Sequence, residues 1–207
     1  MKSLHFSPSK TVVYLLTAFC SLSLSCTSSE LATTAVGALP ATALQPYGRT
    51  VVNVKQQLEL ISSAVHFGFS FEGTQCQIYT SLPTREGHSY LQYELDGVYQ
   101  KRVRVNGNTK EPLVISVAAP GRHTVWMYKA TEAHTGPIII EKVAARKVKA
   151  LQKPKAPWIE FIGNSITCGA AADPSEVPCG SGQYPDQHNA YMAYGPGWPV
   201  LLKPTFC

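Results

Sequence analysis

Along the middle of the chain apolar and polar residues alternate with a period of two. Val65, Phe67, Phe69 and Phe71 are interleaved with His66, Gly68, Ser70 and Glu72. Successive side chains of a strand point to opposite faces, so this run predicts a strand with an aromatic inner face. Leu91, Tyr93 and Leu95 repeat the pattern, and Asp96-Gly97 after them is a two-residue hairpin signal. Val103 and Val105 continue on the return strand, and Asn106-Gly107-Asn108 marks another turn. Residues 113–117 form a short apolar strand closed by a turn at Pro120-Gly121, and residues 124–128 and 138–143 supply two more. About eight short strands separated by turn residues predict a β-sandwich, or jelly roll, over residues 47–148. Strand aromatics mostly pack inward, so Phe67, Phe69, Phe71, Trp126 and Tyr128 are expected in the core rather than on a sugar-stacking platform.

The pattern changes after residue 148. Residues 149–157 hold Lys149, Lys153, Lys155 and two prolines, a composition that suits a linker. Trp158-Ile159-Glu160-Phe161-Ile162 is a compact apolar run that stops at Gly163, which predicts a buried strand of a parallel sheet. Residues 169–188 are rich in Gly, Pro, Asp and Ser and read as a loop, with a helix starting near residues 188–194.

The junction of strand and loop carries the candidate chemistry. Acyl transfer needs a nucleophile on a tight turn, its hydroxyl exposed and backbone N–H groups facing the developing oxyanion. In Gly163-Asn164-Ser165, Gly163 permits the turn, and Ser165 is the candidate nucleophile whose own N–H joins the oxyanion hole. A lone Gly-x-Ser occurs in many ordinary turns, and its place after an apolar strand is what gives it weight.

The chain has 207 residues, 44% hydrophobic and 15% charged, which suits a globular protein and excludes disorder. Net charge is +5, but Lys2 and Lys10 belong to the leader. The remaining charge of about +3 is spread without long runs, so nothing points to nucleic acid. Lys2 and Lys10 precede an apolar stretch at 12–24 that is too short to span a bilayer, which predicts an export signal over residues 1–26. Ser25-Cys26 fits a lipoprotein cleavage site with Cys26 lipidated, and a plain secretory signal is the alternative. Such an anchor is the one membrane attachment the sequence offers. Residues 27–46, mostly Ser, Thr, Ala and Leu, read as a tether. Outside the leader stand Cys76, Cys168, Cys179 and Cys207, with no Cys-x-x-Cys pair and no His cluster, so no metal site is expected. Export permits a disulfide; Cys168 with Cys179 is the nearest pair, and two free thiols are the other reading.

The run Ile159-Glu160-Phe161-Ile162-Gly163-Asn164-Ser165-Ile166-Thr167-Cys168-Gly169 resembles the first sequence block of SGNH (GDSL-type) hydrolases. Residues 67–74, Phe-Gly-Phe-Ser-Phe-Glu-Gly-Thr, and 128–132, Tyr-Lys-Ala-Thr-Glu, are similar to the N-terminal jelly roll of carbohydrate esterase family 2. The two halves stand in the family's order over residues 47–196. The resemblance implies a jelly roll followed by the first strand and loop of an α/β SGNH-hydrolase domain, truncated, over 157–207. It implies removal of acetyl groups from plant polysaccharides such as xylan and mannan, with Ser165 as nucleophile and no metal or cofactor. Asn164 stands where aspartate is more common. The family's catalytic histidine follows much later in the sequence, and the 42 residues after Ser165 contain only His188, near the expected helix start. The resemblance therefore implies a chain lacking its base. From residue 197 two prolines break the expected helix, and a frame change near Gly197 would restore an unbroken one. The competing function is a non-catalytic β-sandwich that presents a glycan- or partner-binding face at the cell surface.

Overall fold

In the computed structural model residues 36–152 and 160–195 are described, all within one compact unit that begins at Ala35. The leader with Cys26, Trp158 and Ile159, and the tail from residue 196 lie outside the described residues. Among the described residues nine strands form: β1 (Gly37–Pro40), β2 (Thr50–Val52), β3 (Leu58–Leu60), β4 (His66–Ser81), β5 (His88–Leu95), β6 (Val98–Tyr99), β7 (Val103–Asn106), β8 (Leu113–Lys129) and β9 (Ile138–Ala150). They pair antiparallel in the order β2-β3-β9-β4-β8-β5-β6, with β1 beside β9 and β7 beside β5. This is the expected antiparallel β-sandwich.

The three long strands make the sandwich. β4 pairs with the second half of β8 up to Gly73↔Gly121, then shifts register to Gln75↔Ser116. Against β9 it shifts between Ser70 and Glu72, between Glu72 and Cys76, and again at Tyr79/Thr80. At such bulges a strand bends, which lets one long strand serve both layers of a sandwich. Pro120-Gly121, expected as a turn between two strands, lies instead inside β8 at this bend. Proline has no N–H to give a ladder and is tolerated where pairing is interrupted. The hairpin at Asp96-Gly97 forms as expected, with φ of 53° and 77°, the two positive values a type I′ turn requires.

Phe67, Phe69 and Phe71 point into the core with Ile78, Leu91, Val125, Met127, Ile138 and Ile140, all buried. Trp126 and Tyr128 do not join them. Trp126 pairs across from Gly68 and Tyr128 from His66, on the opposite face from the phenylalanines. There Tyr47 stacks on His66 at 4.8 Å, His66 on Tyr128 at 4.9 Å, and Tyr128 meets Tyr191 edge-on at 5.0 Å.

Two further expectations change. The stretch read as a tether is ordered from residue 36: β1 pairs with β9 from Gly37↔Ala145 to Pro40↔Lys142, and Ala41 and Leu44 enter the core. Only a few small apolar residues dock, so no long periodic run announces them. At Glu160–Ile162 no strand forms and Ile162 is 87% exposed. A lone parallel strand has no neighbour to satisfy its backbone groups, and none of the described residues supplies one.

Candidate active site

Residues 163–171 form a compact turn rather than the continuation of a strand. The Gly163 position is sterically fixed: a Cβ there would lie 2.0 Å from Thr167 Oγ1. Asn164 shapes the turn. Its Oδ1 accepts the Ile166 N–H at 3.1 Å and its carbonyl accepts the Cys168 N–H at 3.1 Å. The Ser165 carbonyl takes the Ala170 N–H at 2.9 Å. Thr167 Oγ1 bonds Tyr194 Oη at 2.8 Å, and Tyr194 meets Phe161 edge-on. Ser165 itself is exposed, and neither its hydroxyl nor its N–H is hydrogen-bonded among the described residues. Ile166 beside it is 57% exposed. The turn therefore presents a free hydroxyl and a free backbone donor on one small surface, the two groups acyl transfer uses first.

A base for Ser165 is not found among the described residues. His188, expected at a helix start or on the surface, is 2% exposed and lies edge-on to Tyr184 at 4.5 Å. Its Nδ1 has no partner, and burial pushes its pKa down, so it sits as a neutral ring. No hydrogen bond joins it to Ser165. The expected helix is replaced by two short 3-10 turns, Tyr184–Gln187 and Ala190–Met192. Asn189 between them is held extended at φ −150°, with its side chain accepting the Tyr191 N–H, so a continuous helix cannot pass through it.

The Cys168–Cys179 pair is not formed. Cys168 is a free thiol, and Cys179, itself disulfide-bonded, does not pair with it.

Residues that sequence reasoning passed over hold this segment on the sandwich. Arg102 follows Lys101 at the entry to β7, and its side chain is 1% exposed. Its Nη1 donates to the His188 carbonyl at 2.6 Å and its Nη2 to the Asp186 carbonyl at 2.9 Å. Its Nε lies 3.1 Å from Asp173 Oδ2, an ion-pair contact off the line of a hydrogen bond. The guanidinium also stacks over Tyr90, 4.6 Å from the ring centre. Asp186 accepts from Tyr90 Oη at 2.8 Å, from the Gln183 N–H at 2.6 Å and from His88 Nε2 at 2.5 Å. Arg104 can only donate, so His88 Nδ1, 2.9 Å from it, is the acceptor and the ring proton sits on Nε2 facing Asp186. Burial works to raise the Asp186 pKa, but these three donors outweigh it and hold the carboxyl at about 2. Lys129, 0% exposed, donates from Nζ to the carbonyls of Ile61, Thr131 and Glu132 at 3.1, 3.2 and 2.7 Å. Burial pushes its ammonium down to about 8. Among the described residues no group of three or more metal-ligating side chains is gathered, and none of the helices is long and apolar enough to cross a membrane.

The sequence model of the carbohydrate esterase 2 N-terminal family matches residues 47–154. The cellulase/esterase CelE of Acetivibrio thermocellus is 31% identical over 115 residues, 52% of this chain and 13% of that protein. Among solved structures, a family two carbohydrate esterase from Clostridium thermocellum in complex with cellohexaose matches with a TM-score of 0.54 and 26% identity, over 76% of this chain and 46% of that one. One from Cellvibrio japonicus matches at 0.61 with 19% identity, over 78% and 48%. An acetyl xylan esterase from the rumen bacterium Butyrivibrio proteoclasticus matches at 0.58 with 17% identity, over 78% and 45%. The chain thus spans about half the length of these solved relatives and a smaller share of the curated one.

Proposed function

Because this chain belongs to the carbohydrate esterase 2 N-terminal family, we propose that it is the front part of an exported O-acetyl esterase acting on acetylated plant polysaccharide, with Ser165 as its nucleophile. The observation that carries the reading is the turn at 163–170, where Ser165 stands exposed with its N–H free of partners among the described residues. Ser165 Oγ attacks the acetyl carbonyl, and the negative charge that develops on oxygen meets the Ser165 N–H. The tetrahedral intermediate collapses with loss of the sugar hydroxyl, and water releases acetate from the acetyl-serine. None of these steps uses a metal or cofactor. Serine is a weak nucleophile until a base takes its proton, and His188 is buried edge-on against Tyr184 with no hydrogen bond to Ser165 among the described residues. The 207-residue chain alone is accordingly a poor esterase. Export rests on the leader, with Cys26 either lipidated at the cell surface or removed with a secretory signal.

The test is hydrolysis of 4-nitrophenyl acetate and release of acetate from acetylated xylan. Both are measured for this chain and for a form extended with the remainder of a family hydrolase domain, each with and without Ser165→Ala. Strong activity in the extended form that disappears with Ser165→Ala supports the reading. Activity that survives the substitution defeats it.

The half-exposed rings of Tyr47, His66 and Trp126, on the face opposite the phenylalanines, favour a second reading, a non-catalytic glycan-binding surface. Retention on xylan or cellulose without hydrolysis in either form would select it.

A further inference from the structure

The turn that carries Ser165 has no ladder or helix to hold it, yet its backbone rests on the sandwich through a short series of contacts. Gly169 closes the turn, and its carbonyl accepts the Asn189 N–H at 2.9 Å. The approach is so close that a Cβ on Gly169 would lie 2.5 Å from the Asn189 carbonyl oxygen and 2.7 Å from Ala190 Cα. Its φ of +79° is also one that glycine adopts without strain. The Ala190 N–H then donates to the carbonyl of Ala130, just past the end of β8.

Asn189 is fully buried, and its Nδ2 faces three acceptors: Asp173 Oδ2 at 3.0 Å, Gln92 Oε1 at 3.2 Å and Tyr99 Oη at 3.2 Å. Gln92 and Tyr99 come from β5 and β6. Asp173 is gripped in turn by Arg102 and by the Ser175 hydroxyl and N–H. Arg102 also ties down the carbonyls of Asp186 and His188, the residues leading into Asn189. From the sandwich side, then, Arg102, Gln92 and Tyr99 fix the Asn189 side chain and the backbone before it. The Asn189 backbone fixes Gly169, and Gly169 ends the turn whose carbonyls at 164, 165 and 166 are bonded within it.

We propose that Asn189 and Arg102 are positioning residues for Ser165: the β-sandwich is the seat of the nucleophile turn, and Arg102 acts on it through Asp173, Asn189 and Gly169. The proposal rests on the reading of Ser165 as nucleophile, since the seat matters to catalysis only for a group that must be placed. Placement is costly to lose, because a displacement of about 1 Å at a reacting group can reduce rate by about 100-fold. A guanidinium suits the task. Its planar fork reaches two carbonyls and a carboxylate at once, which an ammonium on a flexible stem does not.

Among the described residues two cysteines, Cys76 and Cys168, are free and allow the test in the intact chain. Cys168 lies on the turn and is half-buried, whereas Cys76 lies in the sandwich core. Alkylation by N-ethylmaleimide at neutral pH, followed by peptide mapping, reads the opening of turn and sandwich separately in one sample. In Asn189→Ala the Cys168 rate should rise about tenfold or more with the Cys76 rate unchanged, the signature of local rather than global opening. Arg102→Lys keeps the charge but loses the fork, and should give a smaller rise at Cys168, again with Cys76 silent. A role in general stability would raise both rates together, and that result, or an unchanged Cys168 rate in both variants, overturns the proposal. Should Asn189→Ala fail to fold, Arg102→Lys alone decides by the same two rates. The thiol readout is independent of acetate hydrolysis, so an extended chain active without Ser165 would sink the esterase reading while leaving the Cys168 result to stand or fall by itself.

Discussion

In the sandwich the buried side chains are mostly large and apolar, among them Phe67, Phe69, Phe71, Ile78, Val125 and Met127, placed by regular ladders. In residues 160–195 the buried side chains larger than alanine are Asp173, Asp186, His188 and Asn189, and the ladders are gone. The first region is held by removing apolar surface from water, a force that does not depend on direction. The second is held by hydrogen bonds and ion pairs, each of which works only at the right distance and angle. A lost methyl weakens the sandwich in proportion to its volume. A lost donor in the segment strands a charge or carbonyl away from water, and the cost falls on one place.

The sharpest way to break the sandwich is Phe69→Ala. It should cost about 4 kcal/mol, typical of a phenylalanine truncated in a core, and shift the denaturant midpoint of the whole described unit. Segment protection that outlasts the unfolding of the sandwich would contradict a segment seated on it. Arg102→Met addresses the segment alone. It leaves Asp173 and two carbonyls uncompensated, a loss of about 3 kcal/mol by analogy with broken buried pairs. Amide exchange should speed up over residues 169–193 and stay slow in β4 and β8; acceleration in those strands would show that the segment is not a separate layer of stability.

The third test uses pH. Burial pushes Lys129 down to about 8 in the fold, whereas an unfolded lysine keeps its proton to about 10.4. Between those values the unfolded chain binds the extra proton, so this group adds stability as pH rises. Cys76 does the reverse. Burial pushes its thiol up to about 12, so above about 8.5 the native state keeps a proton that the unfolded chain gives up, and stability falls. The two slopes offset each other between pH 8.5 and 10 in the parent chain. Lys129→Met removes the rising one and should lose about 2 kcal/mol relative to the parent across that window. Denaturant midpoints at the two pH values measure it, and parallel curves would show that Lys129 keeps its charge. The smallest effect belongs to Lys101, next to Arg102 in sequence but with its side chain 87% exposed and 3.9 Å from Glu176. Lys101→Ala should change stability by less than about 0.5 kcal/mol. A larger loss would mean that exposure is a poor guide to which charge holds the segment.

The sandwich was legible because its information is local. The alternation from Val65 to Glu72 states its own inner face, and Asp96-Gly97 states its own turn. The turn at Gly163-Asn164-Ser165 was legible for the same reason, since its residues are adjacent. The seat of that turn was not. Arg102 and Arg104 alternate with Val103 and Val105, so Arg102 reads as one more charge on a solvated face. What covers it lies 71 to 86 residues further along, at Asp173, Asp186 and His188. His188 misled because its burial comes with packing on Tyr184 and with the anchoring of its carbonyl by Arg102, 86 residues earlier. Trp126 and Tyr128 misled because period two assigns alternate residues to opposite faces without saying which face is the core. Gly68 opposite Trp126 was the clue, since a phenylalanine face would not place its largest partner over a glycine.

The guanidinium of Arg102 also bears on how such proteins are assembled over evolutionary time. A β-sandwich with a clean polar surface can be cut from one gene and joined to another without harm. One that has committed an arginine to the backbone, and a glutamine and a tyrosine to a buried asparagine, of a particular neighbour cannot. Transplanted, it would carry a desolvated charge pocket with no carbonyls to fill it, and its neighbour would lose the surface on which the Ser165 turn rests. The two parts should therefore be inherited together, and substitutions at 102, 173 and 189 should be tolerated only in step.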